Sequence, residues 1–171
     1  MRNRYDPLPG DRMIFRMART GGGFLPPGHV LPKPEWLEPD ERDVAEATSS
    51  GRPAGLSVWD MTHAKHADAC WIRALPHEEQ ASFSASIDAL RQVALRHSRR
   101  FDVVADSILS EVRRDPRLGS LSQAQRESIE STALGHSLAE GIRRPAGFQK
   151  GLHRSFMEEL AGRFEPIRSE S

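Results

Sequence analysis

The chain has 171 residues, with 24 basic and 24 acidic side chains and a formal net charge of zero. This balance excludes strong nonspecific attraction to nucleic acid or to an anionic membrane as the default mode of binding. The single cysteine, Cys70, excludes an internal disulfide framework and favours a reducing compartment. No stretch has the roughly 18 consecutive apolar residues of a membrane span, and no apolar run follows the first residues as in a signal peptide. We therefore expect a cytoplasmic protein with no membrane partner.

Arginine supplies almost all of the positive charge, because only Lys33, Lys65 and Lys150 among the 24 basic residues are lysines. Arg suits bidentate contacts to phosphate and carboxylate groups. Abundant Arg with few Lys is also the usual composition encoded by a GC-rich bacterial genome. The second interpretation is simpler, so we expect a bacterial protein and do not favour nucleic acid as its partner.

Two stretches in the first 75 residues have the period-two alternation of a half-buried strand. One covers residues 12–19, where every second side chain is a large apolar one. The other covers residues 54–60, with Leu56 and Val58 on the same face. These two strands predict a small N-terminal sheet.

Proline dominates the segment between the two predicted strands. Residues 24–37 contain four prolines, which predict an extended crossing loop because each proline removes a backbone donor and disfavours helix before it. Pro39 and the acidic residues after it predict a short helix over 39–48. Four apolar side chains in the Pro-rich segment can lie along the protein's own core or along a partner protein: Phe24, Val30, Trp36 and Leu37.

Beyond Leu75 the pattern is mostly helical. Apolar residues at helical spacing predict helices over about 62–74, 78–97, 122–140 and 147–163. Residues 101–113 remain ambiguous, since they carry a helical stripe but can also open as a short strand. The predicted fold is α+β and predominantly α-helical, with about two N-terminal strands packed on four or five helices. We expect one globular unit, with an irregular N-terminal lobe over 1–75 and a helical lobe over 76–171.

The densest group of reactive side chains follows the second predicted strand. On a helix these residues would fall within an arc of about 120°. Carboxylate, imidazole and thiolate are ligands of zinc and similar metals, and a histidine from later in the chain would complete the set. In the alternative interpretation the cysteine is a small core residue and the aspartate caps a helix. No cofactor is expected, and zinc is the possible exception. The four candidate ligands are Asp60, His63, His66 and Cys70, with His136 or His153 as the additional one.

A second candidate site is the pair Arg91 and His97 on a predicted helix. An Arg followed by a His on a helix of a helical domain resembles the motif of HEPN-type ribonucleases. The resemblance implies that the His acts as general acid or base on an RNA 2′-hydroxyl and that the Arg stabilises the phosphate. In the alternative interpretation His97 continues the apolar stripe of its helix and points inward.

A third candidate lies in the N-terminal lobe, where an early strand carries Arg16 and the second strand carries Ser57. This arrangement resembles the opening of RES-type and ADP-ribosyltransferase-like domains. The resemblance implies that this Arg and Ser surround a bound dinucleotide. The alternative is that Arg16 lies on the solvated face of its strand.

The leading functional prediction is a non-catalytic interaction subunit or adaptor of a bacterial protein complex. Its partner would be another protein subunit, bound through the apolar side chains of the Pro-rich segment. Two enzymatic predictions are kept beside it. One is a small metal-dependent, hydrolase-like enzyme centred on Asp60 and its neighbours, and the other is a toxin-like enzyme that acts on RNA or nucleotides through Arg91 and His97.

Overall fold

A computed structural model describes residues 5–19, 34–38, 45, 49, 55–76, 79–143, 147 and 149–167. A six-stranded antiparallel sheet organises this part of the chain. Along the sheet the strands lie in the order β4-β5-β2-β1-β3-β6. They are β1 (Met13–Arg19), β2 (Leu56–Asp60), β3 (Gln80–Ser86), β4 (Asp102–Ala105), β5 (His136–Glu140) and β6 (Glu165–Pro166).

Helices lie between the strands in sequence and cover both sides of the sheet. The α-helices are α1 (His66–Ile72), α2 (Ile87–Arg96), α3 (Leu109–Arg113), α4 (Gln123–Leu134) and α5 (Lys150–Gly162). Short 3₁₀ helices cover Pro34–Leu37 and Pro116–Ser120. Within the described ranges, no helix is long and apolar enough to cross a bilayer.

One side of the sheet, called here the core face, is almost entirely apolar. It packs against α2 and α5 and forms the largest hydrophobic cluster of the described residues, in which Trp36 and Phe156 are also buried. Because side chains of paired strands alternate between the two sides, this face receives one residue in two from each strand. Its central side chains are Ile14, Leu56, Val58, Phe83, Ala85 and Val103.

The other side, called here the second face, combines apolar and polar side chains. Phe15 stacks on Trp59 with ring centroids 6.4 Å apart, and both pack with Ala69 of α1. Helices α3 and α4 add a further apolar cluster beyond α1. The central side chains of this face are Phe15, Met17, Ser57, Trp59, Ser82 and His136.

The prediction of a predominantly helical fold with a two-strand sheet is wrong. Among the described residues 46% are helical and 24% are strand, and six strands form the sheet. Residues 80–86, predicted as helix, form β3 and pair with β1 along their whole length, from Met13 opposite Ser86 to Arg19 opposite Gln80. The pairing satisfies the backbone of both strands, and this long-range gain overrides the local helical spacing. Residues on both sides of Leu75 therefore contribute strands to one sheet.

A second part of the predicted helical lobe is also strand. Helix α4 ends at Leu134, and residues 136–140 pair with both β2 and β4. The ambiguous segment after residue 101 opens as the short strand β4 before α3 begins. The strands expected at 12–19 and 54–60, the capping box at Ser122 and the last helix are confirmed. The helix predicted over 39–48 falls outside the described residues except for Ala45.

Candidate active site

A polar row crosses the centre of the second face beneath helix α1. Ser82 lies opposite Met17 in the β3–β1 pairing, and the β1–β2 register places Ser57 on the far side of Met17. Above this row, His66 contacts Ser82 and Cys70 contacts Met17. The row therefore brings reactive side chains from three strands and one helix to one half-buried surface.

At one end of the row, Ser57, His136 and Asp106 form a connected set. The Ser57 Oγ atom lies 3.0 Å from the Nε2 atom of His136. The Nδ1 atom of His136 lies 2.8 Å from the carbonyl oxygen of Asp106 and 3.3 Å from its carboxylate Oδ2 atom. His136 and Asp106 are buried, at 3% and 2% exposure, and Ser57 is half-buried. This is the arrangement of nucleophile, base and orienting acid that serine-dependent acyl transfer requires.

Arg73 lies at the open side of this set. Its Nη2 atom is 3.0 Å from the Nε2 atom of His136 and 3.2 Å from the Oγ atom of Ser57. A guanidinium can only donate, so the Nε2 atom of His136 must carry the lone pair. The hydrogen of the ring is then on Nδ1, which donates it to Asp106. Asp106 and Arg73 therefore fix the same tautomer from opposite sides of the ring. In that tautomer Nε2 can accept a proton from Ser57.

The fold builds this set through strand pairing. Ser57 and His136 come from paired strands, in which Ser57 lies opposite Leu138 and Trp59 lies opposite His136. Asp106 directly follows β4, and its backbone N–H donates to the carbonyl oxygen of His136 at 3.0 Å. Sheet backbone thus holds Ser57 and His136, and the end of β4 holds Asp106.

Helix α1 supplies Arg73, which follows its last turn. The guanidinium of Arg73 lies 5.7 Å from the centre of the Trp59 ring, so the aromatic face supports the arginine from the sheet side. This leaves the cation at the mouth of the site, beside the serine hydroxyl.

Sequence reasoning missed this set as a unit. The sequence indicates Ser57 only through the resemblance to RES-type domains, and it predicts that His136 lies on a helix as an additional metal ligand. Asp106 and Arg73 received no role. The one available signal was Asp106, an acidic residue directly after a short apolar run that can form a strand.

Arg16 and Ser57, joined by that resemblance, lie on neighbouring strands, and the Arg16 Nη1 atom donates to the Ser57 carbonyl oxygen at 2.9 Å. Arg16 also lies over the Trp36 ring, 5.6 Å from its centre, on the core side of the sheet. The guanidinium of Arg16 therefore contacts the backbone of Ser57, whereas the hydroxyl of Ser57 lies on the second face.

The four residues of the predicted metal site do not all meet at one point. Asp60 accepts from Arg12 at 2.9 Å and from the backbone N–H of Thr62 at 3.0 Å, as a turn-capping carboxylate does. His63 is exposed, whereas His66 and Cys70 come together, with the Nε2 atom 3.6 Å from the sulfur. Within the described part of the chain, no three His, Cys, Asp or Glu side chains are grouped to hold a metal ion. Zinc binding stays a prediction.

His153, offered as a further ligand, lies on the other side of the molecule. Its Nδ1 atom is 3.1 Å from the Nη1 atom of buried Arg99, and its Nε2 atom is 3.2 Å from Glu38. Burial lowers the pKa of Arg99, whose guanidinium also binds three backbone carbonyls after β5. His153 thus belongs to a structural network that is separate from Cys70.

Arg91 and His97 have different partners. Arg91 donates to Asp102 at 2.5 Å and lines a surface cavity of about 610 Å³ at the β4 end of the sheet. His97 lies 3.1 Å from Glu159 of α5, and hydrogen bonds from Arg96 and then His97 hold the pKa of that carboxyl below its usual value. The cavity does not include Ser57 or His136. The nuclease assignment of Arg91 and His97 stays a prediction.

The proposed partner-binding residues are only partly described. Trp36 and Leu37 are buried, at 3% and 1% exposure, and Trp36 packs edge-on against Phe83. These two side chains are therefore used within the protein's own core. Phe24 and Val30 lie outside the described residues.

Comparison with known proteins finds no matching family model, and neither a curated protein nor a solved structure matches the chain. The candidate site therefore rests on its own geometry.

Proposed function

We propose that the protein is a serine-dependent hydrolase that cleaves an ester through an acyl intermediate on Ser57. The observation that carries this proposal is the 3.0 Å distance between Ser57 Oγ and His136 Nε2, in a ring whose tautomer suits a general base. Nucleophile and base at hydrogen-bond distance, with the base held by a third group, are the geometric criteria for such a site.

The reaction follows from these roles. As Ser57 Oγ attacks the ester carbonyl carbon, His136 Nε2 takes the hydroxyl proton. The imidazolium then gives that proton to the leaving alkoxide, the carbon–oxygen bond of the ester breaks, and an alcohol departs. A water molecule, deprotonated by the same nitrogen, attacks the acyl-serine and releases the carboxylic acid and the free serine. Asp106 keeps the ring oriented and stabilises its positive charge in both steps.

Arg73 determines the class of ester we expect. Its cation lies 3.2 Å from Ser57 Oγ, where negative charge develops on the substrate oxygen during the attack. A guanidinium also binds carboxylate or phosphate in two-point fashion. We therefore propose a substrate that carries an anionic group close to the scissile ester, which draws Arg73 off His136 on binding.

The first test is covalent labelling with a fluorophosphonate probe, followed by mass spectrometry of the labelled peptide. The serine oxygen attacks phosphorus and fluoride leaves, so only an activated serine reacts. We expect one label per chain on Ser57 and none in Ser57→Ala. Ser84→Ala is the matched control, because Ser84 is a half-buried serine on the same face of the sheet, on β3, which β1 separates from the strand of Ser57.

The labelling also separates this proposal from the other functional predictions. A label that persists in Ser57→Ala, or no label at all, would refute the serine mechanism. An interaction subunit would stay unlabelled and copurify with a stoichiometric protein partner from its host. A metal-dependent hydrolase would lose ester hydrolysis on chelation, whereas the serine reaction is unchanged by a chelator.

A further inference from the structure

Three soft or borderline metal ligands meet at the other end of the polar row. The sulfur of Cys70 lies 3.5 Å from the Sδ atom of Met17 and 3.6 Å from the Nε2 atom of His66. Cys70 and His66 are one helical turn apart on α1, and Met17 stands on the central strand β1 below them. A thiol, a thioether and an imidazole therefore converge from two rigid elements.

These separations match the spacing of ligands around a small metal ion. Metal–sulfur bonds of about 2.3 Å and metal–nitrogen bonds of about 2.0 Å place neighbouring ligand atoms roughly 3.5 to 4.0 Å apart at tetrahedral or trigonal angles. The sulfur–nitrogen distance of 3.6 Å lies in that range, and the sulfur–sulfur distance of 3.5 Å is about 0.3 Å shorter than the roughly 3.8 Å that such bonds give two sulfurs at a tetrahedral angle. Binding would need only small side-chain adjustments.

Ser82 holds the imidazole in the orientation that binding requires. Its hydroxyl hydrogen-bonds the Nδ1 atom of His66, which leaves Nε2 on the side of the Cys70 sulfur. Metal-bound histidines are commonly oriented by a second hydrogen bond of this kind at the other ring nitrogen. The support comes from β3, so three parts of the fold define the cluster.

Charge and softness select the ion. Thiolate and thioether sulfur are soft ligands, and Cu(I) is one of the ions that they favour. One thiolate neutralises one monovalent cation. A divalent ion would keep a net positive charge beside the buried Cys70, which is 1% exposed, and burying an unbalanced charge is costly. Met17 and His66 are half-buried and give the ion a route from solvent.

We propose that Met17, His66 and Cys70 form a binding site for a soft monovalent metal ion, copper(I). The site is separate from Ser57 and does not depend on the proposed hydrolase activity. Of the four zinc ligands expected from the sequence, His66 and Cys70 take part in it.

The test is anaerobic titration of the purified protein with Cu(I) in competition with a chromophoric Cu(I) chelator. We expect one ion per chain, and the ultraviolet absorption of a Cu(I)–thiolate bond to rise to an end point at one equivalent. Cys70→Ser should lower the affinity at least about a hundredfold, and Ser82→Ala about tenfold.

Met17→Leu and Met13→Leu form a matched pair on the same strand. Met13 is 40% exposed and lies away from Cys70, so its replacement should leave the affinity unchanged, whereas Met17→Leu should lower it about tenfold. Equal affinities in the two variants would overturn the proposal, and so would undiminished binding in Cys70→Ser. Circular dichroism of each variant keeps a folding defect from being mistaken for lost binding, and Met17→Leu still decides the matter if Cys70→Ser does not fold.

Discussion

The two faces of the sheet are made by the same strands but carry different chemistry. On the core face, alternate residues are apolar and pack against α2 and α5. On the second face, the intervening residues include Ser57, Ser82 and His136. Ser57 hydrogen-bonds His136 and Arg73, and Ser82 hydrogen-bonds His66 of α1. In the described chain, no buried side-chain nitrogen or oxygen lacks a partner. The core face can therefore supply stability, while the second face holds polar groups whose hydrogen bonds to other protein atoms replace those to water.

The sharpest way to break this comparison is to remove the base from the second face. We expect His136→Gln to lower hydrolysis of mono-p-nitrophenyl succinate, an ester with a carboxylate group, about a thousandfold, because Ser57 loses the group that takes its proton. Initial rates measured at neutral pH check this. His63→Gln is the control, since His63 is an exposed histidine shortly before α1. The rate of this variant should match that of the native protein. Equal rates in the two variants would mean that His136 is not the base.

A substitution against the core face should lower stability, whereas the substitution on the second face lowers activity. Phe156 of α5 is fully buried, 4.3 Å from the guanidinium of Arg99 and packed on His97. Phe156→Ala should lower the free energy of unfolding by about 3 to 5 kcal/mol, because it leaves a cavity in the main cluster. Urea denaturation measures the loss. Leu152→Ala, on the same helix at 52% exposure, should change it by less than about 0.5 kcal/mol. A small effect at Phe156 would contradict the division between the faces.

The smallest expected effect concerns Glu140 at the rim of the sheet. Burial, and then the nearby charge of Asp102, raise the pKa of Glu140 above its ordinary value of 4.5. The unfolded chain therefore loses this proton first, and the contribution of Glu140 to stability falls as pH rises from about 4.5 through the raised folded pKa. Glu140→Gln should remove that slope and raise stability at neutral pH by less than about 1 kcal/mol. Urea midpoints at pH 4 and pH 7 test this, and an unchanged slope would contradict it.

Local signals were enough to predict some elements of the fold. The start of α4 is an example, because its capping box needs only Ser122 and Gln125. The Ser122 hydroxyl accepts from the Gln125 backbone at 3.2 Å, and the Gln125 side chain accepts from the Ser122 backbone at 2.9 Å. Such a signal is complete within four residues.

Strand β3 was not predictable in this way. Phe83, Ile87 and Leu90 have helical spacing, yet Phe83 belongs to a strand and the other two to α2. The partner that makes residues 80–86 a strand is β1, more than sixty residues earlier in the chain. A pattern read in a short window contains no information about that partner.

The candidate active site was hidden for the same reason. Ser57 and His136 are 79 positions apart, and Asp106 and His136 are 30 apart. No fixed spacing joins them, and only the order of strands in the sheet makes them neighbours. One helical turn separates Cys70 from His66, so the sequence alone indicates that they lie close together, whereas Met17 is on another element and no local spacing relates it to them.

The two-residue strand β6 protects the sheet from unwanted association. Glu165 and Pro166 pair with the middle of β3, and the backbone N–H of Ile167 donates to the Ser82 carbonyl oxygen at 2.9 Å. Proline offers no N–H to a further strand, and a charged glutamate beside it opposes stacking of a second sheet edge. A shortened chain that ends at Phe164 would leave β3 as an open edge, ready to recruit the same strand of another molecule. Affinity tags and truncations for this protein are therefore best designed to preserve residues 165–167.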